Sequence, residues 1–579
     1  MTQISNRDVE RLLKNISTLL EIKGETRFRV NAYRNAAESI AQAGGDLKDL
    51  VEKGDLNDLP GIGKAIGDKI TEYVNTGKLD YYDKLCEEVP EDLLTLSDLP
   101  GMGPKRVKAV WEKLGITDIR GLKKAAQDQR VQELEGFGPK IEEKILEALD
   151  QKKKSVSDQR YSLGDAWFQA QRIIAKLKKD PSVIKISAGG SVRRMKASVG
   201  DVDILVASDR PEDVMDLFTS MKETEKVLLK GSTKTSVKVE NGMQVDLRVV
   251  EPACWGTALQ YFTGSQEHNV KMRELSLKKG FSLSEYALSP VKEGQDMFFE
   301  KESDLYRYLG LQWIPPELRE SWGEVEMAKQ NRIPQLVSLS DIKGDLQSHS
   351  DWSDGRNTLY EMARTAYANG LEYLLVTDHS SGLGIAHGIS GSKLMEQVEE
   401  IERINSEFND SFRLLKGIEV EVKSDGTLDL NENVLKELDI VVAGIHSSLR
   451  QERKRITDRY LATVQNPLVH ILAHPTGRLI GSREETDVDW DQVFRTAAEN
   501  RTLLEINSNP MRLDLPGRLI RRAREFGCLF VINTDAHSTE DLNHLIFGVG
   551  TAGRGLLTKE DVLNTSSVGN VLSYIKDKP

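Results

Sequence analysis

Through residues 1–155, polar and apolar positions alternate with helical spacing, in long stretches with few β-branched runs and with breaks at glycines. The pattern predicts a helical region. Residues 151–160, Gln-Lys-Lys-Lys-Ser-Val-Ser-Asp-Gln-Arg, read as a solvated linker. After one more helical stretch the period changes to two, predicting strands at 182–188, 202–207, 235–239 and 244–250. A polar, proline-containing passage at 315–334 separates this mixed block from a final region of alternating apolar strands and helical stretches. A chain of 579 residues suits three to five domains, at roughly 100–200 residues each.

Composition narrows the class. Hydrophobic residues make up 39% and charged residues 29%, which suits globular units. No apolar run approaches the ~20 residues of a membrane span, and Met1-Thr2-Gln3-Ile4-Ser5 lacks the features of a secretory signal. Cys86, Cys254 and Cys528 are too few and too far apart for a disulfide framework or a thiolate zinc cluster, so a reducing cytoplasm is expected. The net charge of −12 is unevenly spread. Residues 1–340 carry 52 basic and 54 acidic side chains, whereas 341–579 carry 27 and 37. Residues 151–200 hold 12 basic and only 3 acidic. Phosphate binding follows such local fields rather than the total. Histidine is segregated too: only His268 lies before residue 349, and the other eight follow. Two chemistries on one chain are implied.

Three copies of a short pattern punctuate the helical region: Leu59-Pro60-Gly61-Ile62-Gly63-Lys64, Leu99-Pro100-Gly101-Met102-Gly103-Pro104-Lys105 and Leu134-Glu135-Gly136-Phe137-Gly138-Pro139-Lys140. Two glycines permit a tight turn and expose N–H groups at a helix start, where a phosphate is favoured. The repeats resemble the helix-hairpin-helix motif, which predicts DNA-backbone contact without base readout at Gly61, Gly63, Gly101, Gly103, Lys105, Gly136 and Gly138.

The richest segment runs from Gly189-Gly190-Ser191 through Arg193-Arg194 to Gly200-Asp201-Val202-Asp203. A period of two puts Asp201 and Asp203 on one face of a strand and the apolar Val202 and Ile204 on the other. Asp246, in another apolar strand, offers a third carboxylate. Carboxylates beside a basic turn are what two-metal nucleotidyl transfer needs: one ion acidifies an attacking hydroxyl and the other neutralises the triphosphate. Together with Tyr261-Phe262-Thr263-Gly264-Ser265, Asn269 and Arg273, the segment closely resembles the family X DNA polymerases across roughly residues 5–315.

That resemblance implies roles. Asp201, Asp203 and Asp246 would hold two Mg²⁺ ions, with Asp246 receiving the primer hydroxyl's proton. Ser191, Arg194 and Gly200 would contact the triphosphate. Tyr261, Phe262 and Gly264 would line the sugar, Asn269 the minor-groove edge of the incoming nucleotide, and Arg273 the template. Gln266 and Val270 depart from the family pattern at positions tied to base-pair discrimination. The N-terminal stretch resembles the family's lyase domain, with Lys69 at the Schiff-base position and Arg29 and Tyr33 at 5′-phosphate contacts.

In the last region, candidate ligands follow apolar runs in series: His349 and Asp354, His379, Glu419, His446, His474, then Asp535 and His537. Residues at the C-terminal ends of barrel strands converge on one mouth, and mixed imidazole and carboxylate donors suit Zn²⁺ or Mn²⁺. The series resembles the polymerase and histidinol phosphatase (PHP) domain, a distorted barrel carrying up to three metals, and these eight residues match its ligands. Gln347 stands where the family has a histidine. His387, His470 and His544 fall outside the motif.

The expected architecture is therefore multidomain. It comprises a lyase-like helical DNA-binding domain at 1–80, a helix-hairpin-helix subdomain at 81–155 and an α+β nucleotidyltransferase polymerase core at 156–315. A linker at 316–340 leads to a TIM-like α/β PHP barrel at 341–579. The expected function is short-gap filling on gapped or primer-template DNA with dNTPs, with a metal-dependent 3′→5′ exonuclease or DNA-end phosphoesterase in the barrel. A monomer in the cytoplasm, associated with the nucleoid and not with membrane, is expected. One alternative is a DNA-end-binding polymerase whose barrel is inactive and structural, which only Gln347 favours. Another, a template-free nucleotidyltransferase, leaves the glycine repeats and Tyr261–Gly264 unexplained.

Overall fold

The computed structural model describes the chain apart from residues 1–5, 43–49, 52–55, 57–58, 60, 98, 100–101, 135–136, 139–140, 143–144, 147–159, 384–385 and 409–410. Gly101 and Gly136 of the glycine repeats lie outside the described residues. The chain forms two compact units, Met1–Gln159 and Arg160–Pro579. No helix among the described residues is long and apolar enough to cross a membrane.

The first unit is helical. Its first helix, Asn6–Lys23, buries Val9, Leu13, Ile16 and Leu20, a stripe at spacings of four and three that packs on Val30, Ala37 and Ile40 of the Arg27–Gln42 helix. Two glycine turns begin helices: Gly63 precedes Lys64–Thr76, and Gly103 precedes Pro104–Leu114. Gly61 has φ +78°, a conformation that disfavours a side chain.

The second unit begins with a five-stranded sheet of β1 (Lys185–Ala188), β2 (Val202–Ala207), β3 (Thr224–Lys230), β4 (Lys234–Val239) and β5 (Gln244–Val250). Their spatial order is β1-β2-β5-β4-β3, with β2 and β5 parallel and the other neighbours antiparallel. Val202, Ile204 and Val206 point into a core with Ala166, Ala170 and Ile173 of the Leu163–Leu177 helix. Leu205 and Ala207 face the other way, against Trp255 and Ala258 of the Trp255–Thr263 helix. Next comes a helical layer centred on Met272, Leu305, Tyr306 and Leu309. Residues 316–340, expected to link this block to the barrel, do so as folded structure. Leu318, Val325, Ala328 and Ile333 are buried in that same core.

Seven strands follow: β6 (Gly344–Ser348), β7 (Tyr373–Val376), β8 (Arg413–Glu421), β9 (Ile440–Gly444), β10 (Ile471–Leu472), β11 (Leu503–Asn507) and β12 (Phe530–Asn533). All adjacent pairs are parallel, in sequence order. The ring nearly closes through a parallel bridge between Ser348 and Ala536, where the His349 amide donates to the Ala536 carbonyl at 2.8 Å. Leu346, Leu375, Leu415, Val442 and Val531 fill the interior with Val571 and Ile575 of the C-terminal helix. This filling leaves the C-terminal strand ends as the mouth.

Candidate functional site

The parallel pairing of β2 with β5 sets Asp203 directly beside Asp246, and Asp201 immediately precedes β2. Burial first, and then the charges of Asp201 and Asp246, push the Asp203 carboxyl up to about 7. Asp201 is raised by burial and by Asp246. For Asp246 burial acts upward but is outweighed by hydrogen bonds, so its pKa is lowered. Lys234 Nζ lies 2.6 Å from its Oδ2, and Gln244 Nε2 donates to its Oδ1 at 2.8 Å. Three crowded carboxylates with one ammonium beside them form an all-oxygen donor set suited to hard divalent cations.

The turn leading to β2 is fitted to this cluster. At Gly190, with φ +53°, a methyl group would collide with Asp203 Oδ2. Ser191 is half-buried in the short Gly190–Arg193 helix, and a Cβ on Gly200 would meet open space. Arg193 clasps Glu302 with two bonds of 2.9 and 2.7 Å. Arg194 turns inward: it donates to the Thr263 carbonyl and, at 3.0 Å, to Glu320, and its guanidinium lies against Gly264. Tyr261 and Phe262 meet edge to face at 5.1 Å, with the Arg248 guanidinium 4.4 Å from the Phe262 ring centre. Asn269 donates to the Tyr261 carbonyl at 2.8 Å and accepts from Gln260 at 2.8 Å. Arg273 is exposed on the Gln266–Lys278 helix.

At the barrel mouth the eight predicted donors converge. His349, Asp354, His379 and His537 form one group, His379, Glu419 and His446 a second, and His349, Glu419 and Asp535 a third; within each, the donor atoms lie within 4.8 Å of one another. His474 Nε2 is 3.0 Å from Glu419 Oε1. The Nδ1 atoms of His349 and His379 are buried without hydrogen-bond partners, as donors awaiting a cation would be. Burial holds His379 down at about 3. Burial opposes protonation of His446 as well, but Glu419 and Glu421 outweigh it and raise His446 to about 9. The mixed donors suit divalent ions.

Gln347 is wholly buried within this cluster. Its Nε2 donates to Glu419 Oε2 at 3.1 Å and to Asp535 Oδ1 at 3.5 Å, while its Oε1 has no hydrogen-bond partner. A neutral amide thus bridges two carboxylates.

Residues 4–79 match a helix-hairpin-helix domain, 92–151 a SAM-like helix-hairpin-helix tandem, 258–320 the DNA polymerase beta thumb, and 345–509 the PHP domain. A DNA polymerase/3′-5′ exonuclease PolX of Bacillus subtilis (strain 168) is 41% identical over 572 residues, covering 98% of this chain and 99% of the relative. The chain belongs to the family X DNA polymerases. Two further relatives each cover one part. DNA polymerase lambda of Rattus norvegicus is 26% identical over 45% of the chain and 48% of its own length. A probable phosphatase of Thermoanaerobacter sp. (strain X514) is 30% identical over 38% of the chain and 89% of its own length.

In this family X chain the N-terminal candidates also gather. Tyr81 is their hub: Arg29 donates to its hydroxyl at 3.0 Å, the Tyr33 ring stacks on it at 5.9 Å, and Lys69 Nζ lies 4.9 Å from its ring centre. Lys69 also donates to the Ala65 carbonyl at 3.0 Å. Lys105 is exposed, and a Cβ placed on Gly63, Gly103 or Gly138 would meet nothing within 4 Å.

Sequence reasoning missed several participants. Lys234, Gln244, Arg248, Glu302, Glu320 and Tyr81 carried no motif, because only strand register and helix packing bring them to the sites. In the barrel, Glu421 accepts from His446 Nδ1 at 2.6 Å, and Glu505 accepts from the His474 amide at 2.6 Å. Glu421 sits two residues from Glu419 on one strand, so the period of two was its available signal.

Proposed function

We propose that this chain is a template-directed DNA polymerase that fills short gaps during repair, with a barrel that trims 3′ ends in the 3′→5′ direction. The single observation carrying the first half is the side-by-side placement of Asp203 and Asp246, with Asp201 adjoining, under a glycine turn that touches Asp203.

In this reading Asp201, Asp203 and Asp246 hold two Mg²⁺ ions, and Asp246 takes the proton of the primer 3′-hydroxyl. Ions bound there neutralise the triphosphate and lower the pKa of the attacking hydroxyl. Lys234 keeps Asp246 ionised, ready to accept that proton. Ser191 and Gly200 meet the triphosphate, whereas Arg194, expected to do so as well, is engaged inward with Thr263 and Glu320 and fixes the turn. Tyr261, Phe262 and Gly264 border the sugar, Asn269 the base edge and Arg273 the template. Arg29 and Tyr33 dock a 5′-phosphate around Tyr81 with Lys69 at the Schiff-base position beside them, and the glycine turns at Gly61, Gly63, Gly103 and Gly138 with Lys105 hold the backbone.

In the barrel, His349, Asp354, His379, Glu419, His446, His474, Asp535 and His537 hold Mn²⁺ or Zn²⁺. The named activity of the Bacillus relative supports the 3′→5′ direction. Gln347 favours a second reading, a structural barrel without catalysis, because its amide occupies the space between Glu419 and Asp535. The unpartnered imidazole nitrogens support the catalytic one. Incubating the protein with 3′-labelled single-stranded DNA and Mn²⁺ decides between them. Release of mononucleotides from the 3′ end upholds the exonuclease, and intact DNA upholds the structural barrel.

A further inference from the structure

Away from both carboxylate clusters, a cavity of about 280 Å³ opens where the turn after Arg194 meets the barrel. Five cations line it: Lys196 from the turn, and Arg478, Arg518, Arg521 and Arg554 from the barrel. Against them stand only two lining carboxylates, Glu317 and Glu320. Glu320 is already shared, at 3.0 Å with Arg194, 3.1 Å with Arg554 and 3.8 Å with Lys196. Burial raises the pKa of Glu317, which weakens its hold on a negative charge. Outside the cavity, Glu485 pairs with both Arg478 and Arg518.

Arg521 is left over. Its guanidinium lies 4.6 Å from the Trp322 ring centre, and no carboxylate pairs with it among the described residues. Burial first, and then the neighbouring charge of Arg554, hold its pKa below the usual value, outweighing the opposite pull of Glu320 and Glu324. Like charges kept this close in a partly desolvated recess cost free energy unless an anion joins them. The nine-residue helix Gly517–Glu525 starts at the same cavity, adding its N-terminal amides and dipole. Guanidinium forks match phosphate oxygens in pairs, a geometry that chloride cannot use. A recess of this volume is at the small end for ligand pockets, which favours a compact anion over a nucleic-acid strand.

We propose that this cavity binds a small phosphate-bearing anion, a pyrophosphate or a phosphomonoester, held by Arg521, Arg518, Arg554 and Lys196. The site joins the two halves of the second unit, because Arg554 also donates to the Arg194 carbonyl at 2.8 Å. A bound anion would compete with Glu320 for Arg554 and Lys196, and Glu320 in turn holds Arg194.

The test is equilibrium dialysis of the full chain against pyrophosphate, inorganic phosphate and dAMP in separate arms, with EDTA present to silence both metal clusters. One equivalent of pyrophosphate or of dAMP should be retained, and the tighter of the two names the source. Arg521→Met and Arg554→Met, each checked for unchanged circular dichroism, should weaken retention about tenfold or more, the scale of one lost charge-assisted bond. Arg522→Met should leave retention unchanged, since Arg522 is engaged with Asp491 and Glu525 on the exposed side of the same helix. A folded Arg521→Met that binds as tightly as the wild type would overturn the proposal. So would an equal loss in Arg522→Met, or the absence of saturable retention of all three anions.

Discussion

Asp203 lies among two other carboxylates with one ammonium nearby, an arrangement whose natural complement is divalent charge. Removing Asp201 or Asp246 leaves too few donors to hold ions against the triphosphate. Asp201→Ala and Asp246→Ala should each cut nucleotide addition roughly a hundredfold or more, the scale of losing preorganised charge at a transition state. DNA affinity, set mainly by phosphate contacts elsewhere, should stay within about a factor of three. Primer extension and filter binding on the same preparations check both halves. Gln347 supplies the opposite kind of prediction, a gain. Gln347→His replaces a neutral amide with an imidazole between Glu419 and Asp535, so metal retained after dialysis should rise, with affinity increasing about tenfold or more. Metal analysis showing unchanged content would place position 347 outside the ligand set. Much of this was legible residue by residue: Asp-x-Asp on a strand and donors after apolar runs carry their chemistry in their spacing. Lys234, which sits 2.6 Å from Asp246, was not, because its place depends on which strand pairs with which.

At the scale of elements, the glycine turns and the Glu302 clasp each make a prediction. Gly103 has φ −60° and open space around its missing Cβ, so the fold tolerates a side chain there. A branched one would nonetheless shield the helix-start amides. Gly103→Val should weaken DNA binding severalfold, on the order of 1 kcal/mol per lost contact, with the melting temperature unchanged. Lys105→Ala should reduce the slope of log affinity against log salt by about one. Glu302 accepts from Arg193 and Arg319, tying the basic turn to the C-terminal end of the thumb. Burial alone would raise its pKa, but Arg319 and then Arg193 outweigh this and lower it from 4.5 to about 2. A depressed carboxyl stabilises the fold fully above its unfolded value and loses that contribution as pH falls from about 4.5 through about 2. Glu302→Gln should therefore cost about 3 kcal/mol at pH 7, leaving the buried Arg319 and half-buried Arg193 guanidiniums short of a partner. The cost should shrink as the pH falls below 4, as denaturant melts at several pH values would reveal. Two of the four predicted strands match their observed bounds, 202–207 and 244–250, because both faces of each are committed to a core. The strand Thr224–Lys230 gave no signal: as an edge strand it exposes six of its seven residues, so no alternation marks it.

Across the whole molecule, the skew of histidine toward the last 231 residues corresponds to a physical division of chemistry. One cluster is built from aspartates on an open sheet, the other from imidazoles and carboxylates at a barrel mouth, and among the described residues none serves both. Their joint was not legible in the sequence. Residues 316–340 look polar yet bury Leu318 and Val325, and Met195 of the turn packs with Leu513 and Phe547 of the barrel. Such contacts between distant segments have no local periodicity to betray them. The separateness of the two clusters is the central claim, and one measurement tests it most directly. Wild type, Asp201→Ala and His379→Ala are each incubated with gapped DNA and Mn²⁺, with and without dNTPs, and the products are sized. The wild type should extend the primer with dNTPs and shorten it without them. Asp201→Ala should only shorten, and His379→Ala should only extend. Loss of both activities in either folded variant, or extension by Asp201→Ala, would contradict the assignment of one chemistry to each cluster.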